Sequence, residues 1–290
     1  MSIFFKRNRI YFYIFLILVF ILLAVWIRDM NIVDICRRYL TEPDYKVWVT
    51  EEANKYSTTE VKDLWSLIYA FLTWPMFTLS SSFNNATIYI SLIVPVLASI
   101  CTYRFHTRLN REYQMKLYRS DRMNSFFFKE MMAEGLKMAA VLYAAVIVIM
   151  IIIYLFQGNN VVTEPFDLLL TDILPESFYM SHPFVFHLMQ YLIADFIAPL
   201  VWFVAFQVIA FHEHDKKKLF AIPIGIFLGL SFLFEYLARF YLGFLYLAPT
   251  TIINSSVTEW FHSYGLLLSL LIPVASATIY YFMQRKKMEI

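Results

Sequence analysis

Apolar residues along this chain gather into eight runs, 10–27, 64–79, 86–103, 138–156, 188–211, 219–238, 240–258 and 263–284. Crossing about 30 Å of hydrocarbon takes roughly 20 apolar residues in an α-helix. All eight runs therefore compete as membrane spans, and the basic residues between them decide, because basic loops stay on the cytoplasmic side. The segment between the third and fourth runs holds Arg104, Arg108, Arg111, Lys116, Arg119, Arg122, Lys129 and Lys137. Lys216 to Lys218 follow the fifth run, and Arg285 to Lys287 the last. Placing these inside with Lys6, Arg7 and Arg9 puts 17 of the 24 basic residues in the cytoplasm. A crossing at 64–79 would expel the eight-charge linker, and one at 240–258 would expel the C-terminal cluster. Both runs are thus expected on the outer side, as re-entrant or interfacial segments.

The expectation is an all-α integral membrane protein forming one domain over 1–290. Its six spans lie near 10–28, 84–104, 136–156, 187–211, 218–239 and 262–284, with both termini cytoplasmic. An outer cap covers 29–83 and a cytoplasmic linker 105–135. The acidic residues agree: the loop 157–186 carries Glu164, Asp167, Asp172 and Glu176 with no lysine or arginine. Residues 28–63 mix eight acids with six bases. The first run is read as a retained span. It is 18 residues long and ends Ala24-Val25-Trp26-Ile27-Arg28, whereas a cleavable signal core is about 7–15 residues closed by a small-x-small site.

Composition narrows the surface available to water. The chain is 60% hydrophobic, 19% aromatic and 16% charged, against roughly 25% charged in a soluble domain. A net charge of +2 gives no ground for nucleic-acid binding. Cys36 and Cys101 are the only cysteines, and this topology sets them on opposite sides of the bilayer, which excludes a disulfide framework or a cysteine metal site.

Several intramembrane features are candidates for function. Pro95, Pro199, Pro223 and Pro273 each interrupt a span, as hinges or as ordinary membrane-helix prolines. Ala221, Gly225 and Gly229 are spaced by four, which lets two helices approach closely, within one subunit or across a dimer. Asp195 lies near the middle of the fourth span, where an ionised group costs about 2.5–3.5 kcal/mol; it serves a structural hydrogen bond or lines a cavity. Glu235 and Arg239 stand one turn apart at the outer end of the fifth span, as a local ion pair or an outer gate.

Catalytic motifs are missing: there is no GxxxxGK[ST], GxGxxG or GxSxG among six scattered glycines, so no catalytic residues are assigned. His212-Glu213-His214-Asp215 lacks the HExxH spacing that puts two zinc ligands on one helix face, so no metal site is assigned. It reads as a solvated loop that caps neighbouring helices.

The linker is the most informative segment. Phe105, Leu109, Tyr113 and Leu117 recur every four residues among Arg104, Arg108, Arg111 and Lys116, which predicts a basic amphipathic helix at the inner interface. Ser120 or Asp121 is placed to cap the next helix, and Phe126-Phe127-Phe128 leads into the third span. With Leu92-Ile93-Val94-Pro95-Val96-Leu97-Ala98 before the linker, Leu174-Pro175-Glu176-Ser177-Phe178 before the fourth span, and Lys216 to Pro223 opening the fifth, this order of parts resembles the type-2 ABC permease family. It is most similar to the small exporter permeases of Gram-positive bacteria. The extra outer segment 64–79 departs from the simplest family pattern.

That resemblance implies that the linker is a coupling helix seated in a separate ATPase subunit, with contacts near Arg111, Glu112, Lys116, Arg119, Asp121 and Arg122. It implies re-entrant helices between the last two spans, matched by Gly243 to Asn254, and a dimer contact at Ala221, Gly225 and Gly229. It further implies two ATPase subunits carrying ATP and Mg, a second permease (another copy or a related chain), and a bacterial plasma-membrane location. The function so implied is export of a hydrophobic or amphipathic cargo such as a peptide toxin, antimicrobial peptide or drug. A secondary transporter and a non-transporting sensor or immunity protein are the alternatives.

Overall fold

A computed structural model describes residues 2–56, 60–73, 79–109, 123–158, 174–250 and 263–288. Every regular element among the described residues is helical. In chain order they are α1 (Ser2–Asp29), α2 (Ile32–Thr41), α3 (Pro43–Tyr56), α4 (Leu64–Leu72), α5 (Leu79–Arg108), α6 (Met123–Gln157), α7 (Glu176–Ser181), α8 (Pro183–Leu192), α9 (Ala198–Phe206), α10 (Lys216–Leu237) and α11 (Ser263–Met288). A π-turn, Ile193–Ile197, joins α8 to α9, and a 3-10 turn, Gln207–Phe211, follows.

Five helical stretches are long and apolar enough to cross a membrane: Arg9–Asp29, Tyr89–Arg108, Phe126–Gln157, Pro183–Phe211 and Lys216–Leu237. They are multi-pass membrane helices by length and composition. The sixth expected span falls on α11, of which Leu270–Met283 is a shorter apolar stretch. At about 1.5 Å per residue, the 20 residues of Tyr89–Arg108 reach roughly 30 Å, the hydrocarbon thickness. Large apolar side chains such as Phe20, Leu155 and Phe232 lie outside, 73%, 76% and 70% exposed. In water that surface would be a severe liability, whereas lipid tails solvate it.

The centre of the bundle is α5, packed against α1, α6, α9 and α10. Its seam is filled by Leu22, Ile90, Val94, Ala98, Leu142 and Trp202, all buried. Gly135 sets the closest approach between α6 and α9, because a Cβ there would meet Val204 Cγ2 at 2.7 Å and Leu200 Cδ1 at 3.3 Å. A second, small core joins α2, α3 and α4 through Tyr39, Val49, Ala53, Leu67 and Ala70. The run 64–79 therefore enters this cap as a nine-residue helix, too short to cross, with 74–78 outside the described residues. Asp63 starts it by accepting from the Ser66 backbone N–H at 2.7 Å; these bonds hold its carboxyl below the usual range. Asn31 turns the chain from α1 into α2 in the left-handed region, φ 52°, where asparagine is tolerated.

Prolines shape the helices, and serine and the π-turn absorb the cost. Pro223 interrupts α10. One turn earlier the Phe220 carbonyl accepts from Ser99 Oγ of α5 at 2.8 Å, the kind of side-chain partner that satisfies opened backbone in a membrane. Pro199 follows the π-turn by two residues. Its missing N–H and its ring both bear on the carbonyl four residues back, that of Asp195. The wider turn, with Ala198 N–H bonded to Ile193 O, accommodates it.

Gly135→Leu is expected to lower the thermal unfolding midpoint in detergent by the equivalent of about 1–3 kcal/mol, the usual cost of overpacking. Val204→Ala in the same chain should restore part of the loss, read by circular dichroism melts of the single and double variants.

Candidate functional site

The two helices that flank the basic linker differ from expectation at their ends. α5 continues through Arg108, and α6 begins at Met123. Phe105 and Arg108, read from sequence as part of a surface helix, are buried instead, at 0% and 7% exposure. Their surroundings give the reason. Glu134, eleven residues into α6, has no exposed surface, and an isolated buried carboxylate is costly unless cations and donors surround it.

Four groups converge on that carboxylate. Arg108 pairs with it. Arg104 Nε lies 3.5 Å from Oε2, and Lys137 Nζ 3.8 Å from Oε1. The Tyr11 hydroxyl donates from α1, and the Arg104 guanidinium stacks over the Tyr11 ring, 4.5 Å from its centroid. Spacings of three and four along a helix explain the convergence: Arg104 and Arg108 share one face of α5, and Glu134 and Lys137 one face of α6. The cluster thus fastens α1 and the last turns of α5 to α6, about three turns inside its start.

Gln207 closes the neighbouring side. It is fully buried, and its Nε2 donates to Met131 O and Phe203 O, each at 3.0 Å, and lies 3.3 Å from Cys101 Sγ. His106 Nδ1 lies 3.3 Å from Ala210 O. Beside this belt an apolar hollow of about 580 Å³ opens between α6, α9 and α11, lined among others by Phe128, Met131, Met132, Leu200, Val204 and Tyr281.

Asp195, anticipated as a candidate, sits inside the π-turn with no exposed surface. Neither carboxylate oxygen has a hydrogen-bond partner among the described residues. Along the same helix face come His187 and Tyr191, one stacked on the other with ring centroids 6.1 Å apart. Tyr143 approaches from α6, its hydroxyl donating to Leu188 O at 2.9 Å. A structural hydrogen bond, one of the two readings from sequence, has no counterpart among these residues. Asp195, His187 and Tyr191 are all buried here, at 0%, 1% and 3% exposure.

The remaining candidates separate. Glu235 accepts from Thr250 Oγ1 at 2.8 Å, while Arg239 lies beside the Tyr236 ring. They do not form the expected pair, because α10 ends at Leu237 and Arg239 leaves the helical path. Ala221, Gly225 and Gly229 face outward, and a Cβ at either glycine would meet open space. Asp215 caps α10 by accepting from Lys217 N–H at 2.9 Å, as anticipated for that loop. His212 rests against Tyr280 and Tyr281, where burial lowers its pKa. No metal-holding group of His, Cys, Asp or Glu occurs among the described residues. Arg111, Glu112, Lys116, Arg119, Asp121 and Arg122 lie outside the described residues, as do Ser120 and 251–262, the latter including most of the expected second half of the re-entrant segment; Gly243 falls in a 3-10 turn, Leu242–Leu247.

Glu134 was not singled out from sequence, yet a signal existed. It is an acid within an apolar helical stretch, Met131-Met132-Ala133-Glu134-Gly135-Leu136, directly after a linker rich in arginine. Compared with models of protein families, with curated proteins and with solved structures, the chain matches none of them.

Glu134→Gln should destabilise the protein by about 3–5 kcal/mol, the cost of removing one member of a buried ion cluster, read as a lower midpoint in detergent melts. Asp195→Asn should leave that midpoint unchanged or raised, because no partner is orphaned by the change.

Proposed function

We propose that this chain is the membrane-spanning permease subunit of an ATP-driven ABC exporter in the bacterial plasma membrane. Six spans, both termini in the cytoplasm and a re-entrant outer segment complete the architecture, with α11 as the sixth span. The chain carries no phosphate loop, so the energy comes from ATP and Mg bound by a separate ATPase, two copies per complex. The observation that carries this reading is the Glu134 cluster, which ties α1 and the last turns of α5 to α6, the helix that follows the linker.

On this reading the linker docks on the ATPase through Arg111, Glu112, Lys116, Arg119, Asp121 and Arg122. When the ATPases close, the linkers move together, and the cluster transmits that movement to α1, α5 and α6 as one body. Two permeases meet along Ala221, Gly225 and Gly229, whose open face fits a second helix. Asp195, with Glu235 and Arg239 at the outer end, lies on or beside the cargo path. The hollow lined by Phe128, Met131 and Met132 suits a hydrophobic or amphipathic cargo, since methionine adapts to varied shapes.

One observation favours a second reading, a proton-coupled secondary transporter: the unpartnered Asp195 with His187 and Tyr191 along its helix. Buried ionisable groups at mid-span mark proton routes in such proteins. Uptake driven by a pH gradient in vesicles holding this chain alone would establish that alternative.

The exporter reading is tested by coexpression with an ATPase encoded beside this chain. Arg119→Glu combined with Arg122→Glu is expected to abolish co-purification of the ATPase and export, while the chain still folds. Undiminished co-purification would contradict it.

A further inference from the structure

We propose that a groove between α1 and α5 binds an acidic phospholipid from the leaflet on the side of the Glu134 cluster. Two hollows line this face. One, of about 520 Å³, is bounded by Ile10, Tyr103, Arg104, Thr107, Arg108 and Phe220. The other, of about 310 Å³, is bounded by Ile17, Ile21, Tyr89, Leu92 and Val96. Both include Ile14 and Ile100, so they adjoin end to end as one groove on this face. From Ile10 to Ile21 it runs roughly 16 Å along the helix, about the depth of one leaflet of a 30 Å core.

Chemistry changes along that length in the order of a phospholipid. Its inner stretch is aliphatic, and Ile17, Leu92 and Val96 leave it open to the side, at 58%, 53% and 43% exposure. Its mouth holds Arg104 and Arg108, two guanidinium groups that both face the Glu134 carboxylate. The Arg108 side chain is only 8% exposed, and its Nη2 has no hydrogen-bond partner among the described residues. That Nη2 is shut off from the groove as it stands, so a phosphate oxygen meets the more exposed Arg104 guanidinium first. It reaches Arg108 by a rotation of that side chain, a pairing that the guanidinium fork matches. Thr107 does not compete for that position, since its hydroxyl donates to Tyr103 O at 2.9 Å. The lateral opening selects a molecule that arrives within the bilayer. On the topology proposed above, this is the inner leaflet, where acidic lipids meet basic side chains.

The test uses the full-length purified protein, with no ATPase present, so that its outcome is independent of the transport reading. Delipidated protein is equilibrated in mixed micelles with equal amounts of phosphatidylglycerol and phosphatidylcholine, and retained lipid is measured by native mass spectrometry. Phosphatidylglycerol should be retained about fivefold over phosphatidylcholine, the preference that one well-placed arginine supplies. Arg108→Gln, which leaves Glu134 paired with Arg104 and Lys137, should reduce that preference to near parity. Leu92→Trp with Val96→Trp fills the apolar stretch from its exposed face without touching the ion cluster, and should lose retention of both lipids. Millimolar inorganic phosphate should displace neither lipid. Equal retention of the two lipids by the unaltered chain, a preference surviving Arg108→Gln, or displacement by phosphate alone would overturn the proposal.

Discussion

A carboxylate with no exposed surface governs the arrangement of this bundle. Glu134 on α6 is shut away from water, and the cost of that burial is offset only if cations and a hydroxyl reach it from neighbouring helices. Arg104 and Arg108 of α5 and Tyr11 of α1 do so. Apolar packing in lipid is weakly directional, because tails and side chains are equally apolar. A buried charge is directional: it fixes which helix ends meet and at what register. Here the last turns of α5 meet α6 about three turns inside its start. One buried carboxylate on α6 thus joins α1, α5 and α6.

At the opposite extreme stands mid-span, where rigid pairing gives way to interrupted helix. Pro199 disturbs the backbone around Asp195, and the π-turn takes up the strain. π-turns inside helices recur at functional sites, and this one holds a carboxylate without a hydrogen-bond partner among the described residues one turn from Tyr191, on which His187 stacks. Pro223 removes a backbone donor from α10, and close by Ser99 of α5 donates to the Phe220 carbonyl.

Much of the helix layout was legible in the sequence, since runs of apolar residues near the required length locate membrane helices directly. Five of the expected spans fall on long apolar helices, and the described part of 64–79 before residue 74 holds a capped nine-residue helix. The boundaries of the linker were less legible. Arginines at 104 and 108 read as the basic face of an interfacial helix because charge is normally exposed, and only a three-dimensional partner turns them inward. Glu134 was the missing partner, masked by its position inside the segment assigned to the linker. The local ion pair, one of the two readings of Glu235 and Arg239, is not formed for a simpler reason: spacing of four pairs side chains only while the helix lasts, and α10 stops at Leu237.

The most direct test of the central claim is a double-mutant cycle between Glu134→Gln and Arg108→Gln, measured by unfolding of the detergent-solubilised protein. If the buried cluster fixes the helix ends, the paired change costs less than the two single changes added, by about 1–3 kcal/mol of coupling. Additivity within about 0.5 kcal/mol would show that the two side chains act independently, and the account would fail.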